Sequence, residues 1–125
     1  MPEVRVAFLS FDLWVGGGTV FVLKLASALQ EMGIACHAFG LYPDNSLEED
    51  FKDRGIPVAS GIQSSSIFEE RLLYTLDSIR RFNPTAIVVD AGLDTCEVLR
   101  YIPRNITRFC VFHLALDENM RIAAR

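Results

Sequence analysis

The chain has 125 residues, half of them hydrophobic and 22% charged. That is one domain's worth of protein with enough apolar surface for a true core, which excludes a two-domain enzyme and a disordered or low-complexity chain. Twelve Lys and Arg stand against sixteen Asp and Glu, a net charge of −4, so the basic excess that nucleic-acid binding needs is missing and nucleic acid is not an expected partner.

The first strand is expected over residues 4–9, followed by the loop 10–18 with its run Gly16-Gly17-Gly18. A helix over 19–32 follows, because Val22, Leu25, Ala26 and Leu29 recur at i, i+3, i+4, i+7 spacing and Gly33 stands where a left-handed cap belongs. The second strand covers 35–40. Ser46-Leu47-Glu48-Glu49 sets a capping oxygen three residues before a carboxylate, which predicts a helix start. The third strand is the short 58–59. Ser66-Ile67-Phe68-Glu69 repeats the capping signature and opens the longest helix, 67–82, which buries Phe68, Leu72, Leu76 and Ile79 until Pro84 stops it. The fourth strand, 86–89, is continuously apolar, as strands covered on both faces are. Asp94-Thr95-Cys96-Glu97 is a third capping signature, and the fifth strand runs over 108–113. Asp117 reads as the N-cap of a helix that has barely begun when the chain ends, so the 125 residues are expected to be the front part of a longer protein.

Strands alternating with helices predict an α/β fold: a Rossmann-like, doubly wound parallel sheet of about five strands in the order 3-2-1-4-5, with helices on both faces. Cys36, Cys96 and Cys110 form no CxxC and no Cys/His cluster, and are expected as buried, reduced thiols in a cytoplasmic protein. No apolar stretch approaches the ~18–20 residues of a membrane span, and Glu3 and Arg5 are out of place in a signal peptide. Peripheral membrane contact stays open. No His, Asp and Glu cluster has metal-ligand spacing. His37 lies inside a strand and receives no role, and Arg104 and Arg108, at the start of the fifth strand, are expected to be solvated.

Ligands of an open parallel sheet bind outside the carboxyl ends of the strands, where helix N-termini aim unpaired amides. The loops after the first and fourth strands would flank the switch point, which singles out Gly16, Gly17 and Gly18 for a phosphate or sugar hydroxyl and Asp90 as an acceptor of sugar or polyol hydrogen bonds. Familiar phosphate motifs fail. A Walker loop needs Gly-Lys-Ser/Thr, but Gly18 precedes Thr19 and Val20, and a dinucleotide fingerprint needs glycine where Phe21 stands. A phosphorelay receiver needs a lysine after the last strand, and the lysines are Lys24 and Lys52.

The run Val4 to Ser10, the glycines 16–18, the helix ending Glu31-Met32-Gly33, the strand from Ala35, Asn83-Pro84 with the apolar strand behind it, and Phe112-His113 together resemble the N-terminal domain of GT-B glycosyltransferases of the retaining, GT4-like class. The resemblance spans essentially the whole chain. It implies that residues 1–125 are the acceptor-side half of an enzyme that transfers a sugar, with retention, from a nucleotide-sugar such as a UDP- or GDP-sugar to a sugar, lipid or polyol acceptor. A separate C-terminal donor-binding domain, absent here, would complete the site, so the fragment alone is expected to be inactive. It further implies backbone contacts from Gly16, Gly17 and Gly18 to the donor diphosphate, a catalytic position beside the transferred sugar for His113, and no cofactor or metal. The fourth strand departs from the pattern: where many relatives end in His-x-His, this chain has Val89-Asp90-Ala91-Gly92. A stand-alone, non-catalytic binding or regulatory module and a subunit of a split glycosyltransferase are the alternative readings.

Overall fold

The structure, a computed structural model, describes residues 3–10, 17–41, 47–60, 67–90 and 92–111. Along the chain run β1 (Arg5–Ser10), α1 (Gly17–Glu31), β2 (Ala35–Gly40), α2 (Glu48–Asp53), β3 (Val58–Ser60), α3 (Phe68–Phe82), β4 (Ala86–Asp90), α4 (Leu93–Leu99) and β5 (Thr107–Val111). The strands form one five-stranded sheet in the order β3-β2-β1-β4-β5, every pair parallel. Both the expected fold class and the expected strand order are met.

Side chains alternate across the sheet with the two-residue period of a strand. Val6 and Phe8 of β1, Cys36 and Ala38 of β2 and Val88 of β4 face Val22, Leu23 and Ala26 of α1 and Phe51 of α2. Ala7, Leu9, Phe39, Ile87 and Val89 face the other way, onto Ile79 of α3 and Val98 and Leu99 of α4. The central strands are therefore covered on both sides, which is why β1 and β4 read as unbroken apolar runs.

Helix ends follow local chemistry. Gly33 adopts φ +85°, its amide bonding to the Gln30 carbonyl while the Ile34 amide bonds to that of Leu29, the paired closure of a Schellman motif. Gly55, at φ +76°, repeats it with Lys52 and, through Ile56, with Phe51. α3 stops at Asn83, in the left-handed region at φ 56°, because Pro84 has no N–H with which to continue.

One helix start, that of α4, differs from expectation. α2 and α3 begin behind Leu47 and Ile67, neither of which makes a side-chain cap; Ser46 and Ser66 lie outside the described residues. α4 begins at Leu93 with extended Gly92 as its N-cap, so Asp94 sits inside the first turn. No side chain caps this start; Thr95 instead ties the first turn back to β4, its hydroxyl donating to the Asp90 carbonyl at 2.8 Å and lying 3.3 Å from that of Gly92. Arg108 is also not simply solvated: its guanidinium donates to the carbonyls of Leu99 at 2.9 Å and Ile102 at 2.6 Å, closing off the end of α4.

Candidate functional site at the carboxyl edge

β1 and β4 are neighbours whose chains depart to opposite sides of the sheet, β1 into α1 and β4 into α4. Their carboxyl ends define the switch point at which a doubly wound fold opens a crevice. The register pairs Leu9 with Val89 and Ser10 with Gly40, so Gly40, Ser10 and Asp90 stand side by side at this edge. Ser10 shares its face with Val6 and Phe8, and Asp90 shares its face with Val88, so both point to the α1 side by strand alternation. Gly40, between β1 and β3, adds no side chain to that side.

α1 follows β1 in the chain and packs on the same face of the sheet. Its first residues are glycines: Gly17 and Gly18 form the opening turn rather than lying in the preceding loop as expected. The correction has a chemical consequence. The first amides of a helix have no acceptor within it and carry the positive end of its dipole, and at Gly17 and Gly18 no Cβ shields them from an anion. Such a terminus holds phosphate or carboxylate oxygens in many folds. Thr19 behind them is buried.

Ser10 is only 1% exposed, and its hydroxyl has no hydrogen-bond partner among the described residues, although its carbonyl is fixed by the Leu41 amide at 3.0 Å. Asp90 is half-buried. Ser10 was not singled out in the sequence; its position as the last residue of the central strand is the signal that could have found it. Gly16 and His113 lie outside the described residues; of the expected site residues, Gly17 and Gly18 open α1 and Asp90 ends β4.

Thiol chemistry has no foothold in this protein's described cysteines. Burial raises the pKa of all three thiols, Cys36 to about 11, and Cys36 and Cys96 are buried. Among the described residues there is no group of three His, Cys, Asp or Glu placed to hold a metal, and no helix long and apolar enough to cross a membrane.

No protein-family model matches the chain, and no curated protein matches it in sequence. Solved structures do resemble it. A glycosyltransferase from Rickettsia africae superposes with a TM-score of 0.66 at 12% identity, over 90% of this chain and 30% of its own. The glycosyltransferase VinC, solved with dTDP, gives 0.52 at 16% identity, over 78% of this chain and 32% of its own. A formyltetrahydrofolate deformylase from Burkholderia mallei gives 0.50 at 12% identity, over 85% and 37%. What these likenesses define is the fold, a doubly wound, Rossmann-like α/β domain. The chain spans about a third of the length of the glycosyltransferases it resembles.

Proposed function

We propose that this chain is the N-terminal, acceptor-side domain of a GT-B glycosyltransferase that transfers a sugar with retention from a nucleotide-sugar to a sugar, lipid or polyol acceptor. The observation that carries the reading is the topology of the carboxyl edge: α1, which follows the central strand β1, opens on Gly17 and Gly18 and packs on the face of the sheet to which strand alternation assigns Asp90. In this reading the amides of Gly16, Gly17 and Gly18 bind the donor diphosphate. Their contribution grows as negative charge builds on the departing diphosphate, which is how a fixed dipole lowers a barrier. Asp90 accepts hydrogen bonds from acceptor hydroxyls and orients them. His113 stands beside the transferred sugar. The likeness to the Rickettsia africae glycosyltransferase and to VinC supports this direction of the argument, as does the sequence resemblance.

The nucleotide-binding domain would be encoded beyond Arg125 or in a partner chain, and the fragment alone would not turn over. The test is to read the gene past Arg125, express the full-length protein and follow transfer from UDP- and GDP-sugars, with the anomeric configuration of the product read by NMR. His113→Ala in that protein is expected to cut transfer at least ~100-fold with folding unchanged. A stop codon after Arg125 with no donor domain encoded nearby, or full activity in the variant, would overturn the reading.

A further inference from the structure

A second recess lies at the opposite, amino-terminal edge of the sheet. The first residues of β1 and β2, the last turn of α3 and the chain entering β3 line an open groove of about 640 Å³, whose lining includes Arg5, Ala35, His37, Pro57, Arg81 and Phe82. That volume falls within the range of small-molecule sites. No Asp or Glu is among the lining residues, in a chain whose net charge is −4.

The polar groups of the groove are held in place. The His37 ring stacks on Phe39 with centroids 4.2 Å apart and meets Phe82 edge-on at 5.2 Å. Its Nδ1 lies 3.1 Å from the Ala38 carbonyl. A carbonyl only accepts, so Nδ1 carries the proton, and the neutral ring keeps Nε2 as an acceptor with no partner among the described residues. Burial pulls the pKa of His37 below its ordinary value, in keeping with a neutral ring. Arg5 is pinned by its Nε, which donates to the Phe82 carbonyl at 2.8 Å, and its guanidinium lies 4.4 Å over the Phe82 ring. The Glu3 carboxylate near it is 3.9 Å from Nη1 and on an exposed side chain. Arg81 is steadied by Asp77 at 2.7 Å.

We propose that this groove binds a small aromatic carboxylate that carries a hydroxyl or N–H donor. The guanidinium edges of Arg5 and Arg81 receive the carboxylate, the geometry for which arginine is suited. The apolar walls of Ala35, Pro57 and Phe82 take the ring, and His37 Nε2 accepts from the donor. The site is separate from the carboxyl edge and does not depend on the glycosyl-transfer reading.

The probe is 4-hydroxybenzoate, titrated against the histidine-labelled chain while the imidazole and backbone resonances are followed by NMR. The two histidines are told apart by the signal lost in His37→Phe. Saturable shifts at His37, Gly55 and Arg81 are expected, with half-saturation at about 1–10 mM, the order set by a ligand of about ten heavy atoms. The uncharged 4-hydroxybenzamide and the donor-free benzoate should each bind at least ~5-fold more weakly. His37→Phe keeps the stacked ring and removes Nε2, and Arg81→Ala removes an exposed cation at little risk to folding; each should weaken binding at least ~5-fold. Shifts that do not saturate, equal binding of the amide, variants that bind as the parent does, or perturbations lying elsewhere would overturn the proposal.

Discussion

Replacing Arg108 separates what the fold does from what the position of this residue in the sequence suggests. A solvated arginine at the start of an edge strand contributes little, and its loss should change stability by no more than about 0.5 kcal/mol. In the structure the guanidinium fork instead bridges the carbonyls of Leu99 and Ile102 at 2.9 and 2.6 Å, tying β5 to the turn that follows α4, where the Leu99 carbonyl also accepts from the Ile102 amide. A hydrogen bond from a charged donor contributes about 1.5–3 kcal/mol when shielded, and the exposure of Arg108 on β5 reduces this, because water re-solvates the freed carbonyls. Arg108→Met keeps the aliphatic stem and removes the fork, so the expected loss is about 1–2 kcal/mol. Urea unfolding followed by circular dichroism should show the midpoint falling by about 0.5–1 M with an unchanged slope. Arg108→Lys should recover at most half, since an ammonium does not span both carbonyls as the planar fork does. A midpoint within error of the parent for Arg108→Met would refute the bridging role.

Gly33→Ala should cost about 1 kcal/mol in the same assay, because the added Cβ meets nothing within 4 Å and the penalty comes from the φ of +85° alone; an unchanged or raised midpoint would contradict the left-handed cap. Burial pushes the Cys36 thiol up to about 11 from its ordinary 9.0, so the unfolded chain loses its proton first. Stability should fall as pH climbs from about 9 to about 11, and Cys36→Val should lessen that fall when unfolding is followed at several pH values. His37 has its pKa lowered. The unfolded chain therefore takes up a proton first on acidification, and stability should drop as pH falls from the ordinary imidazole value of 6.5 toward the folded pKa; His37→Phe should remove that part of the acid dependence.

The alternation of strands and helices in the sequence was enough to read the strand order, because the crossover rules leave few arrangements once the elements are known. Chain reversals were equally legible at Gly33 and at Asn83-Pro84, where one residue type decides the backbone. The start of α4 was not. An Asp three residues ahead of a Glu marks a cap only if the backbone turns there, and α4 starts instead behind Gly92, with the Thr95 hydroxyl donating to the Asp90 carbonyl. That the glycines and Asp90 belong to the carboxyl edge could be read as well, since Gly17 and Gly18 follow β1 and Asp90 ends β4. Ser10 escaped notice because its interest lies in its burial, which depends on the packing around it. The groove at the other edge left no trace, since Arg5, His37 and Arg81 are far apart in the chain and meet only through the strand register and the docking of α3.

The account rests on the carboxyl edge being the place where an anionic donor binds. The most direct measurement is the set of backbone amide shifts of the full-length protein as a nucleoside diphosphate and the corresponding nucleotide-sugar are added. Perturbations centred on Gly17, Gly18 and Thr19 and extending to Ser10 and Asp90, larger for the nucleotide-sugar, are the predicted result. Saturating binding that leaves those amides unmoved, or no binding by any nucleotide-sugar, would contradict it.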